Sequence, residues 1–383
     1  MSRRQVNSRD TKAAARFPII GLLALLCGMA SSLTMAQERL LIEGILDAEV
    51  YKTDARSFSL ARNNGDISTL GRLQLWSAWQ ISSGWQVYSL GEIVTDDAAA
   101  ESETESEIRQ FAVRYSNNSS SFFFIEAGRL LPPIAIASER RLSTQNPLIG
   151  QPDFLYVPYP WGIQALGSTG WLDYRAALVD LPSIKPEYLP SEPGSALRPD
   201  LGIGVTPFTG LRLGLAYAKG PYLNRSLGAF LPPGSGWKDF DQRLLGIEFQ
   251  FSRGYAELSS ELLFSRYDVP FQHGSTDVTG YFVELKYTWT PRLYSALRLQ
   301  RNEYPFIQHL GELAWQAQTV RNHDVEIGLA YRFSADTQLK VAYRHDLGNM
   351  ESNGESAYPV GHSLALQLSH HFDLGSWFGT ERW

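Results

Sequence analysis

The residues able to do chemistry are spread along the whole 383-residue chain, and their spacing limits what they can do. His345-Asp346, with scattered serines, is the nearest approach to a hydrolytic pair. Neighbours on an extended strand point to opposite faces, so these two cannot join one triad directly. No GxSxG, HExxH, P-loop or EF-hand pattern is present. His273, His309, His323, His345 and His362 show no metal-ligand spacing, and His370-His371 diverge on a single strand. The expectation is therefore no enzyme activity, no metal and no cofactor. What remains is a long series of charged residues at alternate positions of apolar runs. Such residues can line a water-filled passage, where they stay ionised and bias the ions that pass.

Alternation puts Arg72, Arg114, Arg175, Arg212, Lys286, Arg298, Arg332, Lys340 and Arg344 on one face. Glu43, Asp47, Glu49, Asp173, Glu248, Glu257, Glu261, Glu284, Glu326 and Asp346 share it. The two sets nearly cancel, so this wall alone predicts little charge selectivity. On a lipid-facing surface each Arg or Lys would cost about 2–4 kcal/mol at mid-membrane. The charged face is accordingly the wet one.

The elements that must position these residues are strands of period two. In Leu211–Ala218 the odd positions are large and apolar, and the even positions are small or charged. Val325–Phe333, Leu339–Arg344, Tyr281–Trp289 and Leu364–Phe372 repeat the pattern. Sixteen strands are predicted, near residues 40–51, 70–82, 84–94, 106–116, 121–130, 161–168, 171–180, 200–206, 210–219, 241–251, 254–266, 279–289, 292–301, 323–333, 337–346 and 362–372. Fourteen and eighteen are the neighbouring counts.

Short Gly-, Pro-, Asn- or Ser-bearing turns join alternate pairs, as at Ser82-Ser83-Gly84, Ser168-Thr169-Gly170 and Ser252-Arg253-Gly254. Long connections near 52–69, 95–105, 131–160, 181–199, 220–240, 267–278, 302–322 and 347–361 separate them. Strict alternation of short and long is the habit of membrane barrels, with turns on the periplasmic side and loops outside. Trp85, Tyr115, Phe122, Trp171, Phe249, Phe251, Tyr255, Tyr287, Trp289, Tyr294, Phe333 and Phe372 cluster near the short turns, where a headgroup girdle is expected.

The N-terminus carries Arg3, Arg4, Arg9, Lys12 and Arg16, then the apolar run Phe17–Leu26 and a small-residue stretch ending at Ala36. These are the parts of a secretory signal, so residues 1–36 are read as cleaved on export. Leu25 and Leu26 before Cys27 are too bulky for lipoprotein processing. The remaining chain holds 29 basic and 39 acidic residues and no cysteine, a net charge of −10. That balance argues against nucleic acid as a partner, and the missing thiols exclude disulfides. Charged residues make up 19% of the chain, below the about 25% of soluble domains. A soluble sandwich or propeller would not need eight long loops interleaved with short turns.

The fold expected is all-β: a transmembrane antiparallel up-and-down barrel over 37–372, with 373–383 as a tail or the end of the last strand. Outer-membrane lipids surround it, and small hydrophilic solutes or ions pass through it. The layout resembles the sixteen-stranded general porins of Gram-negative outer membranes and, more loosely, the phosphate-selective porins O and P. The resemblance spans the mature chain and rests on architecture. It implies passive diffusion, is compatible with a homotrimer, and implies that the loop after the fifth strand turns into the lumen. Here the longest connection, 131–160, follows the fifth strand. Six prolines stiffen it, and Ile134, Ile136, Leu148, Ile149, Phe154 and Tyr156 give it an apolar side that a solvated loop would not need. Its charges Glu139, Arg140, Arg141 and Asp153 are the expected constriction residues, and the two arginines point to an anion bias. The family's acidic PEFGG-type sequence is absent. Competing readings are a closed structural or adhesive barrel, in which Tyr222, Phe230 and Trp237 of 220–240 meet a surface partner, and a barrel-embedded hydrolase.

Overall fold

A strand with one apolar and one polar face still exposes its edge N–H and C=O groups, and lipid offers them no partner. In the computed structural model the sheet closes on itself and leaves no edge. The structure describes residues 40–374, apart from 56, 58–59, 98–102, 118–121, 132–133, 135–141, 153–158, 187–188, 190–195, 273, 312–313, 348–350, 353–354 and 357–359. The first eight strands are β1 (Leu40–Thr53), β2 (Ile67–Gln80), β3 (Trp85–Asp96), β4 (Glu103–Asn117), β5 (Phe122–Arg129), β6 (Trp161–Thr169), β7 (Leu172–Val179) and β8 (Arg198–Phe208). The second eight are β9 (Leu211–Pro221), β10 (Asp241–Arg253), β11 (Ala256–Asp268), β12 (Ser275–Thr290), β13 (Leu293–Gly311), β14 (Ala314–Arg332), β15 (Thr337–Asp346) and β16 (Gly361–Asp373). Each pairs antiparallel with its sequence neighbours, and β1 pairs with β16 to complete the ring. A two-residue hairpin, Glu351–Ser352 with Glu355–Ser356, lies in the connection before β16.

All the predicted strands are present, but one predicted loop is not. Residues 302–311 continue β13 and 314–322 belong to β14; each strand is 19 residues long, and they stay paired out to Gly311 and Ala314. Asn302, Gln308, Gln316, Gln318 and Asn322 blur the apolar signature there, because a strand that rises beyond lipid no longer needs a greasy face. The ladder hydrogen bonds hold it instead. At the other extreme β5 and β7 have 8 residues and β6 has 9. In a ring of sixteen these short strands stand opposite the tall β13–β14 hairpin, so the rim slopes.

Alternation resolves into two surfaces. Leu215, Tyr217, Leu245, Leu285, Leu329 and Leu366 lie exposed on the outside, while Glu248, Glu261, Glu284, Arg298, Glu326 and Lys340 are buried on the inside. Trp85, Tyr115, Trp171, Tyr255, Tyr287, Trp289 and Phe333 are exposed at the turn end, where an interfacial girdle belongs. Phe249, Phe251 and Phe372 are half-buried, and the side chain of Phe122 lies outside the described residues. Tyr294 departs from the girdle. It is only 3% exposed and faces inward, with Lys286 and Arg332 over its ring. Strand parity sets its side: Ala296 and Arg298 share the inner face with it.

The closing seam depends on Gly44. Its register partner is Phe372, and a Cβ built on Gly44 would lie 2.3 Å from the Phe372 ring. An aromatic ring lying over a cross-strand glycine pins the register of the two strands that must meet last. Gly44→Leu should therefore destabilise closure by about 1–3 kcal/mol, the usual cost of overpacking. Heat-modifiability on gels and urea unfolding in detergent measure this. A folded fraction and midpoint equal to wild type would remove the seam from the account.

Candidate functional site: the lumen and the loop that crosses it

Antiparallel register puts directly opposed residues on the same face, so the inner charges meet their partners across strands. Asp47 stands opposite Arg72, Arg114 opposite Glu126, Glu257 opposite Lys286, and Arg298 between Glu284 and Glu326. The resulting pairs are close: Arg72 Nη1 to Glu49 at 3.5 Å, Arg114 Nη2 to Glu126 at 2.5 Å, Lys286 Nζ to Glu257 at 2.6 Å, and Arg344 Nη2 to Asp324 at 2.9 Å. Glu248 and Glu261 oppose each other as like charges. Arg212 offsets this by donating to Glu248 at 2.6 Å and, bidentate, to Asp173 at 2.9 and 2.8 Å. Gly204 and Gly214 make room for that network, since a Cβ at either would sit 2.3–2.6 Å from its carboxylates or guanidinium.

The segment after β5 enters this charged interior. Ile134 is fully buried with Ile184 against Ala216, Ala218, Leu244, Leu263 and Phe282 on the inner wall of β9–β12. Residues 142–152 then reach β13–β15. In a ring of sixteen, β13 lies eight places from β5, directly across the barrel, and the groups contacted there face inward. Lys340 Nζ donates to the carbonyls of Ser143, Asn146 (2.6 Å) and Leu148 (3.2 Å). Arg298 donates to Gly150 O at 2.6 Å and Asn146 Oδ1 at 2.7 Å, and holds Glu284 at 2.6 Å. Gly150 N in turn donates to Glu326 at 2.8 Å, and Gln338 donates to Ser143 O at 3.1 Å. Buried loop carbonyls require donors, and two fully buried cations supply them here.

Small inner-face residues shape the seat. A Cβ on Gly328 would come within 2.8 Å of Leu148, and Ile149 packs on Ala342 and Ala365. This footprint was readable as the small members of the large/small alternation. Which small residues lie under a loop was not readable, because the contact joins segments nearly two hundred residues apart. Ser143, Asn146 and Gly150 carry no sequence signal at all, since they act through backbone carbonyls or one amide. The expected constriction charges Glu139, Arg140, Arg141 and Asp153 lie outside the described residues.

At the loop end, a second cluster covers part of the mouth. Tyr222, Leu223, Leu227 and Leu231 pack with Leu189, Tyr267, Val269, Val278, Ile307 and Trp315. His309 stacks on Phe230 at 4.1 Å, and Trp315 Nε1 donates to Phe230 O at 2.6 Å. Tyr222, Phe230 and Trp237, expected as contact area for a surface partner, thus turn onto their own barrel. Loop 220–240 is long enough to bury its aromatics against the tall hairpin rather than present them. Tyr222 donates to Asp268 O at 2.9 Å, and burial raises its hydroxyl pKa well above the ordinary value.

His345 and Asp346 diverge as strand neighbours do, and the Asp346 carboxylate accepts from Ser57 at 3.4 Å. Among the described residues no three His, Cys, Asp or Glu side chains gather as a metal site.

A closed sixteen-strand barrel with an apolar exterior, a charged interior and an in-turned loop defines a class, the outer-membrane β-barrels of porin type. No protein family model and no curated protein matches the chain in sequence. Solved structures do match it in fold. OmpF of Salmonella typhi, in complex with daunomycin, superposes with TM-score 0.59 at 12% identity over 88% of this chain and 98% of that one. The anion-selective porin of Comamonas acidovorans gives 0.58 at 13% identity over 87% and 99%. OmpT, an outer membrane protein of Vibrio cholerae, gives 0.56 at 10% identity over 89% and 99%. The fold is that of the sixteen-stranded porins of Gram-negative outer membranes.

Lys340→Met should free the carbonyls of Ser143, Asn146 and Leu148 and loosen the segment. We expect amide exchange at Gly150 to rise by about tenfold or more, since each unmet buried partner costs on the order of 1–3 kcal/mol. Exchange measured by mass spectrometry, unchanged from wild type, would show that Lys340 does not hold the loop.

Proposed function

We propose that the chain is an outer-membrane porin, a passive diffusion channel for small hydrophilic solutes or ions. Residues 1–36 would serve as its cleaved export signal, and segment 131–160 as its constriction. The observation that carries this reading is residues 142–152 bound across the lumen to Arg298 and Lys340. A loop tied inward across the barrel narrows a passage without needing reactive groups, and selection then follows from bore and wall charge. Arg72, Arg114, Arg212, Glu248, Glu257, Glu261, Glu284, Lys286, Glu326, Arg332 and Arg344 would line the path with these two. Because most of them are paired, the wall contributes little net field, and Arg140 and Arg141 would set the sign at the narrow point. The fold's kinship with a trimer form of Vibrio cholerae OmpT (TM-score 0.53) supports a homotrimer.

Planar-bilayer recording of the purified, folded protein tests this. Discrete conductance steps are expected, and replacing 142–152 by a short Gly-Ser bridge should raise the step size about twofold, as removal of a lumen obstruction would. Arg140→Ala with Arg141→Ala should shift the reversal potential in a salt gradient towards cation preference. A silent bilayer, with the bridged variant equally silent, would favour the closed structural barrel, whose support is the apolar cluster over the mouth.

A further inference from the structure

At the turn end of the barrel, beneath the tip of the crossing loop, lies a cavity of about 470 Å³. Thr144 of the loop forms one side, and the β12–β13 and β14–β15 turns form the others, with Pro291, Arg292, Arg332, Phe333 and Ser334 among the lining residues. Its arginines differ from most of those on the inner wall. Arg72, Arg109, Arg114, Arg212, Arg298 and Arg344 all have carboxylates within ion-pair distance. Arg332 and Arg292 have none among the described residues. Arg332 is held by its stacking over Tyr294, at 5.3 Å from the ring centre, and its N–H fork has no acceptor among the described residues. The one lining carboxylate, Asp336, has His371 Nδ1 at 3.6 Å. Ser334 Oγ accepts from the backbone N–H groups of Asp336 (3.2 Å) and Thr337 (3.0 Å), so its own hydrogen remains to be donated.

We propose that this cavity is a binding site for a small organic carboxylate. Two guanidinia and a hydroxyl line it, its one carboxylate Asp336 is paired with neither guanidinium among the described residues, and an incoming carboxylate accepts such a fork bidentately. Pro291 supplies an apolar surface beside the charges, which suits an anion with a hydrocarbon or aromatic body rather than a bare inorganic ion, while the Phe333 ring turns outward with Leu329 and Tyr331. The site lies at the turn end, on the far side of the constricting segment from the long loops. A solute bound there has already passed the loop, or is about to enter from the other side. The proposal concerns binding alone, so it stands or falls separately from conduction.

Isothermal titration of the full-length, folded protein in neutral detergent tests it, with benzoate, formate and inorganic phosphate as probes. Benzoate should bind saturably and about tenfold more tightly than formate, because only benzoate uses the apolar surface. Arg332→Gln should weaken benzoate at least about tenfold, whereas Arg332→Lys should keep part of the affinity as a point charge without the fork. Arg266→Gln, an exposed residue near the loop end paired with Asp277, should leave benzoate binding unchanged. Heat-modifiability confirms that each variant is folded, and Arg292→Gln offers a second probe if Arg332→Gln does not fold. No saturable benzoate binding, equal binding by Arg332→Gln, or phosphate binding more tightly than benzoate would each overturn the proposal.

Discussion

Everything in this structure depends on the sheet having no free edge. In lipid an unpaired backbone N–H or C=O has no solvent to turn to, so sixteen alternating strands are stable only once β16 lies against β1. Closure also decides what the alternation means. Before closure each strand has one apolar and one polar face but no inside or outside. Afterwards one becomes the outside and the other the lumen. The packing of Phe372 over Gly44 then acts on the whole barrel, because a slip of one residue at that seam would exchange lipid-facing and lumen-facing side chains.

Once the interior is enclosed, its charges must settle their accounts with one another. The register achieves this locally, by placing Arg beside Asp or Glu on the next strand. Two cations do more. Arg298 and Lys340 reach past the wall to hold backbone carbonyls of the crossing segment, so they serve as anchors as well as wall charges. Replacing Lys340 by an apolar residue would therefore change the position of the loop before it changed the field in the lumen. The slope of the rim follows the same geometry. The loop leaves from short β5 and seats across the barrel at tall β13–β14, whose outer extension then supports the cluster over the mouth.

Much was legible in the sequence because a strand with one apolar and one polar face obeys a two-residue rule that helices do not imitate. Alternation located every strand, fourteen of them to within a few residues at both ends, and turn chemistry located the short connections. It failed at 302–322, where strands continue past the lipid and lose the apolar signal while keeping the ladder. It also failed at Tyr294, where an aromatic close to a turn looked interfacial but sat on the inner parity. The loop's length and apolar content marked it as packed. Its partners could not be inferred, since Ser143, Asn146 and Gly150 bind through groups that every residue or many residues possess.

By itself the sequence determined the fold class, the inner and outer faces, and the place of the long loop, and it favoured sixteen strands over fourteen or eighteen, all of which follow from local periodicity and turn residues. Only the tertiary structure decided that 142–152 lie against β13–β15, that Arg298 and Lys340 anchor them, and that Arg332 has no paired carboxylate among the described residues. Those facts depend on which strands face each other across the ring. Local periodicity carries no record of distance across a lumen.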